Sequence, residues 1–198
     1  MTDKKTIYHK VVFLGETSVG KSSIVSRYTR DEFYEFQEPT IGAAFQTKAV
    51  NLDNCIIKFE FWDTAGQERY RSLAPMYYRG STVAFIVYDI TNIDTFNNAK
   101  YWIKEIKNKG DINCIIVLLG NKTDMPTRKI EKETGIELAK TNNIMFSEVS
   151  AKTGSNISNI MVEVAKKLAT IPQSITKPDR FTINTSDKTY VLNKKCCM

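Results

Sequence analysis

Short apolar runs rich in β-branched residues alternate with stretches of helical periodicity along most of the chain. The first run, "KVVFLG" (10–15), predicts a buried strand that leads into a helix beginning near Lys21. Later runs predict three more strands, each followed by a helix; the strands are 83–89, 114–120 and 144–150, and the helices are 95–108, 131–141 and 157–169. This alternation is typical of a parallel sheet covered by helices on both faces, a doubly wound α/β fold.

Between the first helix and the strand at 83–89, the pattern changes to a hairpin. The segments "AAFQTKAVNL" and "CIIKFEFWD" predict two antiparallel strands that turn at Asp53 and Asn54. The second strand alternates, with one apolar face and one largely polar face; the apolar face holds Ile57, Phe59 and Phe61, and the other holds Lys58, Glu60 and Trp62. We therefore expect a six-stranded, mostly parallel sheet with one antiparallel strand.

The pattern stops after Pro172. The stretch "QSITKPDRFTINTSDKTYVLNKK" is polar, rich in Thr, Ser and Asn, and shows no period of a helix or a strand. Such a composition cannot bury enough apolar surface to order itself, so it predicts a flexible segment. The chain is thus divided into one predicted domain, 1–171, and a tail, 172–198.

Composition and charge narrow the class of protein. The 198 residues are 42% hydrophobic and 25% charged, which is typical of one globular domain. Half of the net charge of +6 lies in residues 171–198, and the rest of the chain has no long basic run, so we do not expect nucleic-acid binding. The first residues lack the apolar stretch of a signal peptide, and the longest apolar runs are too short to span a bilayer, which predicts a cytosolic chain.

The loop after the first predicted strand, "GETSVGKS" (15–22), matches the pattern G-x-x-x-x-G-K-[ST]. Its successive backbone N–H groups and the following helix N-terminus would cradle a β-phosphate. Lys21 would reach the β- and γ-phosphates, and the Ser22 hydroxyl would bind Mg²⁺. A surface loop with a chance lysine is disfavoured by the strand–loop–helix setting. The predicted contacts of this loop are Thr17, Ser18, Val19, Gly20, Lys21, Ser22 and Ser23.

The segment "DTAGQE" (63–68) follows the second hairpin strand, at the same edge of the predicted sheet. Asp63 would hold the metal through water, and the Gly66 N–H would sense a γ-phosphate. Gln67 would orient an attacking water. The alternative is a turn capped by Asp and Thr; the neighbouring phosphate loop favours the functional interpretation.

Two further motifs follow later strands. In "NKTD" (121–124), the Asp124 carboxylate would accept hydrogen bonds from guanine N1–H and the N2 amino group, a donor pair that adenine lacks. Asp124 would therefore select GTP over ATP, with Asn121 and Lys122 in the same motif. The residues "SAK" lie where a base contact from the backbone is needed; they are Ser150, Ala151 and Lys152.

In this order and at this spacing, the four elements resemble the small GTPases of the Ras superfamily over roughly residues 7–170. The resemblance implies a P-loop G-domain that binds GTP or GDP with Mg²⁺. It implies that Thr40, in "QEPTIGAAF", completes the metal shell with Ser22 and, through water, Asp63. It also implies that Phe33 packs on the guanine ring, core packing being the alternative for that side chain.

Within the superfamily, "WDTAGQERYRSLAPMYYRGS" (62–81) resembles the Rab branch, which directs membrane traffic. With "FQEPTIGAAF" (36–45) it is most similar to the early-endosomal, Rab-five-type subgroup, although Pro39 stands where that subgroup usually has Ser. The resemblance implies that Phe45, Trp62 and Tyr77 bind effectors. Trp62 falls on the polar face of its predicted strand, which supports an interface; burial under a helix is the alternative.

The residues "LNKKCCM" resemble the Rab double-cysteine ending, which implies geranylgeranyl groups on Cys196 and Cys197. A Ras-type CaaX box would need Cys where Lys195 stands. Two lipids anchor stably where one gives reversible attachment, and Lys194 with Lys195 would favour an anionic leaflet. The expected location is the cytoplasmic face of membranes, early endosomes first, with a soluble cytosolic pool.

The resemblance implies a monomeric switch in endocytic transport, with slow GTP hydrolysis. Its implied partners are effector proteins, an exchange factor, a GTPase-activating protein, an escort protein and a GDP-dissociation inhibitor. Three alternatives stay open: a Rab protein of another trafficking step, a GTP-binding scaffold with negligible turnover, and a P-loop ATPase or small-molecule kinase. Gln67 disfavours the scaffold, and Asp124 disfavours the ATPase.

Overall fold

Six strands form one sheet in the computed structural model, which describes residues 4–171. In sheet order the strands are β2 (Ala43–Asn51), β3 (Cys55–Thr64), β1 (Lys5–Leu14), β4 (Val83–Asp89), β5 (Ile115–Asn121) and β6 (Met145–Glu148). Neighbouring strands run parallel, except that β2 and β3 are antiparallel, with Phe45 opposite Trp62. The predicted mostly parallel sheet with one antiparallel strand is confirmed.

In the described part of the chain, five α-helices accompany the sheet: α1 (Lys21–Arg30), α2 (Ala74–Tyr78), α3 (Ile93–Lys109), α4 (Lys132–Asn142) and α5 (Ile157–Thr170). Local chemistry sets several of their ends. The Asn92 side chain accepts a hydrogen bond from the Asp94 N–H and caps α3, which is the usual function of Asn at that position. Asp31 ends α1 in the left-handed conformation. Within residues 4–171, no helix combines the length and the apolar character needed to cross a membrane.

Apolar side chains pack on both faces of the sheet. Alternate residues of β1 point to opposite faces: Val11 and Phe13 join the core under α1 and α5, and Val12 and Leu14 join the core under α2 and α3. Because both faces are covered, every residue of β4 and β5 is buried. This double burial explains why those strands read as continuous apolar runs rather than as alternating ones.

Two regions differ from the sequence prediction. The strand β1 begins at Lys5, five residues before the predicted start, because residues 5–9 pair with β3 although they are largely polar and at least partly exposed. Residues 68–78, for which no element was predicted, form a 3₁₀-helix (Glu68–Leu73) followed by α2. These two pieces are too short for a helical period to stand out. The predicted tail, 172–198, with Cys196 and Cys197, lies outside the described residues.

Candidate functional site

A cleft of about 350 Å³, open to solvent, lies at the carboxyl ends of the strands. Parallel strands deliver their following loops to this one edge, which is where ligands bind in open α/β sheets. Segments distant in the sequence meet there. The predicted site residues that line the cleft are Thr17, Ser18, Gly20, Lys21, Ser22, Ser23, Phe33, Thr40, Gly66, Asn121, Lys122, Asp124, Ala151 and Lys152.

The loop between β1 and α1 turns tightly around this cleft. Gly15 and Gly20 have φ of 141° and 93°, a region that a side chain would strain. A Cβ at Gly15 would also collide with the Val87 carbonyl, and one at Gly20 with the Asn121 amide. The loop runs directly into the N-terminus of α1, where backbone N–H groups are free to bind an anion. The backbone at this point is suited to a phosphate.

Lys21, the first residue of α1, is buried beneath this loop at 5% exposure. Its Nζ donates hydrogen bonds to the carbonyl oxygens of Gly15 at 3.0 Å and Glu16 at 2.7 Å. Burial lowers the pKa of Lys21 to about 8, against the opposing charges of Asp63 and Glu16. The Lys21 ammonium group is shielded from water and donates to two carbonyl oxygens. It is therefore suited to donate a hydrogen bond to a phosphate oxygen in the adjoining cleft.

Three oxygen-bearing side chains converge beside Lys21. The Ser22 and Thr40 hydroxyl oxygens lie 2.9 Å apart, and Thr40 Oγ1 donates to Asp63 Oδ2 at 3.4 Å. Asp63 is 3% exposed, and its Oδ1 has no hydrogen-bond partner within residues 4–171. Burial raises the pKa of Asp63, while Ser22, Lys21 and Thr40 oppose that rise. A buried carboxylate with an unpaired oxygen, next to two hydroxyls, fits a hard cation such as Mg²⁺.

No group of three or more His, Cys, Asp or Glu side chains that could hold a metal occurs in the described part of the chain. The oxygen set of Ser22, Thr40 and Asp63 has one carboxylate only. It is of the kind that Mg²⁺ uses in phosphate sites, where one or two carboxylates act together with waters and substrate phosphates.

Gly66 and Gln67 follow β3 and occupy different places. A Cβ on Gly66 would collide with the backbone of Glu16 and Thr17, so this glycine lies directly against the phosphate loop. Gln67 lines a smaller pocket next to the main cleft, and its Oε1 accepts a hydrogen bond of 2.6 Å from Arg69 Nε. The structure therefore brings Gly66 into the cleft and sets the Gln67 side chain beside it.

At the opposite end of the cleft, the loops after β5 and β6 are joined by side chains. Ser150 Oγ donates to Asp124 Oδ1 at 2.6 Å. Asn121 Nδ2 donates to the Val19 carbonyl at 2.8 Å, and its Oδ1 accepts from the Ala151 N–H at 3.1 Å. Val19 and Ser150 are fully buried behind the cleft and do not line it. Both act in the site through these hydrogen bonds.

The segment before β2 covers the front of the cleft. Phe33 lines the cleft and also packs against the apolar core, and its packing on a guanine ring stays a prediction. Across the opening, Lys152 Nζ lies 3.6 Å from Glu35 Oε1. Ser23 Oγ donates to Gln37 Oε1 at 3.1 Å. These contacts hold the segment over the helix and loop that form the cleft floor.

The three aromatic residues predicted to bind effectors form one cluster outside the cleft. The Phe45 and Trp62 ring centroids lie 5.4 Å apart, and those of Trp62 and Tyr77 lie 6.1 Å apart. Phe45 is 53% exposed, whereas Trp62 and Tyr77 are partly buried against the core. Trp62 is therefore partly covered, and the cluster presents aromatic surface between β2 and α2.

Several charged and polar contacts around the cleft were not predicted. Lys122 Nζ pairs with Asp89 Oδ2, at the end of β4, at 2.7 Å. Arg128 donates to both oxygens of the buried Glu148, at 2.6 and 3.0 Å. Arg128 lies on the loop after β5 and Glu148 at the end of β6. The only sequence signal for Asp89 is its position after an apolar strand, and Glu148 and Arg128 carry no local signal at all.

The family model described as "Ras family" matches residues 10–170. The match covers most of the chain. It includes the phosphate loop, the oxygen cluster, and the loops after β5 and β6 that close the cleft.

Proposed function

The chain belongs to the Ras family, a family of small GTP-binding proteins, and from this premise we propose that it is a Rab-type GTP/GDP switch in vesicle transport. We further propose endocytic transport through early endosomes as the process that it serves. The observation that carries the switch is the convergence of Ser22, Thr40 and Asp63 beside the buried Lys21. This group joins the start of α1 to the segment before β2 and to the end of β3.

The phosphate end of the cleft would bind the nucleotide through the backbone of residues 17–23 and the Lys21 ammonium group. The N–H groups at the start of α1 and the charge of Lys21 favour the same anion. Glycine at positions 15, 20 and 66 leaves the space that a phosphate-binding backbone requires. The side chains Thr17, Ser18 and Ser23 line the entrance to this end.

Ser22, Thr40 and Asp63 would hold Mg²⁺, with Asp63 acting through water. Mg²⁺ bound there supplies positive charge that neutralises phosphate oxygens. Because Thr40 belongs to the segment before β2, its hydroxyl draws that segment toward the phosphate loop. Asp63 is held in place by β3, so the moving partner is Thr40.

Base recognition would rest on Asp124, oriented by Ser150. A carboxylate can only accept hydrogen bonds, and guanine presents two donors along one edge where adenine does not. Asn121 holds the phosphate loop and the loop after β6 at a constant separation through its two hydrogen bonds. Phe33 and Lys152 line the same end of the cleft.

The switch would act through Thr40 and Gly66. Thr40 lies three residues before β2, and Gly66 two residues after β3, so a change of nucleotide at the cleft reaches the hairpin from both ends. Phe45 and Trp62 lie opposite each other on that hairpin, and Tyr77 contacts Trp62 from α2. Ordering of these segments with GTP would complete an effector surface, and hydrolysis would release it.

Hydrolysis would be slow without a partner. Gln67 is the residue proposed to orient the attacking water, and its side chain lies beside the cleft, bonded to Arg69. A GTPase-activating protein that contacts residues 66–73 would draw Gln67 inward and complete the site. An exchange factor and effectors are the other partners proposed at the switch segments.

Membrane attachment is proposed at Cys196 and Cys197, each with a geranylgeranyl group, next to Lys194 and Lys195. Two lipid chains give stable anchoring. An escort protein would present the chain for this modification, and a GDP-dissociation inhibitor would maintain a soluble pool. The proposed location is the cytoplasmic face of early endosomal membranes, with another trafficking step as the second candidate.

The decisive experiment measures nucleotide specificity and single-turnover hydrolysis on the same full-length preparation. Competition by GTP and GDP, with ATP at a thousandfold excess unable to displace the bound nucleotide, is expected for the switch. Displacement by ATP would instead favour the ATPase or kinase alternative. Binding of GTP without phosphate release over several days would favour the scaffold. Imaging of tagged Gln67→Leu with endosomal markers in its own cell tests the trafficking step.

A further inference from the structure

A side-chain bridge links the phosphate loop to the 3₁₀-helix that follows Gln67. Asn98, on α3, donates from Nδ2 to Glu16 Oε1 at 2.5 Å, and its Oδ1 accepts from Arg71 Nη2 at 3.3 Å. Glu16 belongs to the phosphate loop and Arg71 to the 3₁₀-helix. All three side chains are partly buried, and together with Gly66 and Gln67 they line the small pocket beside the cleft.

Only one orientation of the Asn98 amide satisfies both neighbours. The Glu16 carboxylate can only accept hydrogen bonds and the Arg71 guanidinium can only donate them. The amide must therefore turn its nitrogen to Glu16 and its oxygen to Arg71, as observed. Both hydrogen bonds have one charged partner, and such bonds are roughly twice as strong as neutral ones.

Arg71 is held from a second side by the same helix. Its guanidinium carbon lies 4.6 Å from the Tyr101 ring centroid and 5.8 Å from that of Trp102. Cation–π contacts of this kind add to the hydrogen bond from Asn98. Arg71 thus attaches the 3₁₀-helix to α3. One of its partners there, Asn98, is also the residue through which α3 contacts the phosphate loop.

Gln67 lies between two points at which this segment is fixed. On its N-terminal side, Gly66 packs directly against the backbone of Glu16 and Thr17. On its C-terminal side, Arg71 is held by Asn98. The Gln67 side chain has no direct hydrogen bond to the phosphate loop in the described structure, so its distance from the cleft depends on these two contacts.

We propose that Asn98 is a positioning residue for GTP hydrolysis, because it fastens the segment 66–71 to the phosphate loop through Glu16 and Arg71. The inference rests on the proposed function, in which Gln67 orients the attacking water. When the bridge is removed, Arg71 keeps its contacts with the Tyr101 and Trp102 rings but loses its link to the phosphate loop, and Gln67 spends less time next to the cleft. Nucleotide binding itself does not involve Asn98.

The first test replaces Asn98 with Ala in the full-length chain loaded with GTP. Single-turnover hydrolysis is expected to slow by roughly tenfold, the lower end of the effect expected for loss of a charge-assisted hydrogen bond. The GDP dissociation rate is expected to stay within twofold of the parent. Asn97→Ala is the matched control, since Asn97 is the exposed neighbour on α3 that contacts only Lys100 within the described residues. It should hydrolyse GTP at the parent rate.

The second test exchanges donor and acceptor. In Asn98→Asp the carboxylate still accepts from Arg71 but repels Glu16, so hydrolysis should slow by about tenfold. Introduced together with Glu16→Gln, the same aspartate can accept from the new amide and the bridge is rebuilt with reversed polarity. In the Glu16→Gln background, Asn98→Asp should therefore slow GTP hydrolysis by less than twofold. Such a cycle isolates the coupling between the two side chains.

The outcomes separate the inference from the proposed function. A parent protein that binds GTP without hydrolysing it overturns the proposed function, and the inference with it. A parent that hydrolyses GTP, with Asn98→Ala at the same rate, overturns the inference alone. Equal losses from Asn98→Asp in both backgrounds would also overturn it. So would a rise in GDP dissociation as large as the loss of hydrolysis, because that would indicate a general loosening of the site.

Discussion

Ser150 Oγ donates a hydrogen bond of 2.6 Å to Asp124 Oδ1, so that the loop after β6 orients the carboxylate on the loop after β5. Ser150 is fully buried, and its own Oγ also accepts from the Thr153 N–H at 3.1 Å. The hydroxyl thus has a fixed direction. A carboxylate held in this way loses little freedom when a ligand edge pairs with it, which favours selective recognition.

Asp124→Asn should shift the nucleotide preference from guanine to xanthine. The amide oxygen can still accept from N1–H, but the amide nitrogen would face the guanine N2 amino group, donor against donor, whereas xanthine has a carbonyl oxygen at that position. We expect GTP affinity to fall by roughly a hundredfold, since the hydrogen bond from the N2 amino group is lost and two donors are set against each other. Competition binding with GTP and XTP measures this. Unchanged GTP affinity would remove Asp124 from base recognition, and Asp94→Asn, at an exposed position in the first turn of α3, is the matched control.

Ser22→Asn should weaken the binding of GTP more than that of GDP. The larger side chain displaces the hydroxyl that lies 2.9 Å from Thr40 and disrupts the oxygen set at Asp63. GTP depends more on Mg²⁺ because it has more phosphate charge to neutralise. Affinities for both nucleotides, with Mg²⁺ and with a chelator, provide the measurement. The assignment fails if the parent binds GTP equally well under both conditions; Ser158→Asn, on the exposed surface of α5, serves as the control.

Gln67→Leu should slow an already slow hydrolysis. Without an arginine supplied by a partner, the parent rate should be on the order of 10⁻⁴ to 10⁻³ s⁻¹. Leucine cannot hydrogen-bond to water, so a further decrease of about tenfold is expected, with GTP affinity unchanged. Single-turnover phosphate release measures both rates. An unaided parent rate near 1 s⁻¹, or an unchanged rate in the variant, would contradict this assignment.

Arg128→Ala should destabilise the fold more than the loss of an exposed charge does. Arg128 is the bidentate partner of Glu148, and without it the buried carboxylate is left uncompensated. Removal of one member of a buried pair costs about 3–5 kcal/mol, and partial exposure of Arg128 reduces the expected loss to about 2 kcal/mol. Denaturation of the GDP-bound protein measures it. Glu148→Gln in the same chain should recover part of the loss, and Arg30→Ala is the exposed control.

Cys196→Ser with Cys197→Ser should abolish membrane association and leave nucleotide binding intact. Lys194 and Lys195 alone contribute only about 2 kcal/mol on an anionic surface. A single substitution should leave one lipid and reversible attachment, because affinity depends exponentially on the buried lipid. Fractionation of the three variants, with mass spectrometry of the peptide, checks this. A wild-type chain that pellets with membranes while its peptide is unmodified would disprove lipid anchoring.

The sequence alone predicted the sheet, every α-helix of the described residues except α2, and most of the cleft-lining residues. The motifs at 15–22 and 121–124 are short, and the chemistry of phosphate and guanine demands particular residue types at fixed spacing within each. The strands β4 and β5 are buried on both faces, so each is a continuous apolar run that can be recognised without knowledge of the tertiary structure. Where a functional motif or a buried strand occupies only a few consecutive residues, it can be recognised from the sequence.

Tertiary structure decided the contacts between segments far apart in the chain. The Glu16–Asn98 hydrogen bond joins residues 82 positions apart, and Asn121 reaches Val19 over 102 positions. In neither pair does the sequence around one residue indicate its partner. The position of Gln67 beside the cleft, and the extension of β1 back to Lys5, likewise depend on neighbours supplied by α3 and β3. Such contacts form only when the sheet brings separate loops to one edge, since their energy depends on three-dimensional proximity rather than on the residues adjacent in sequence.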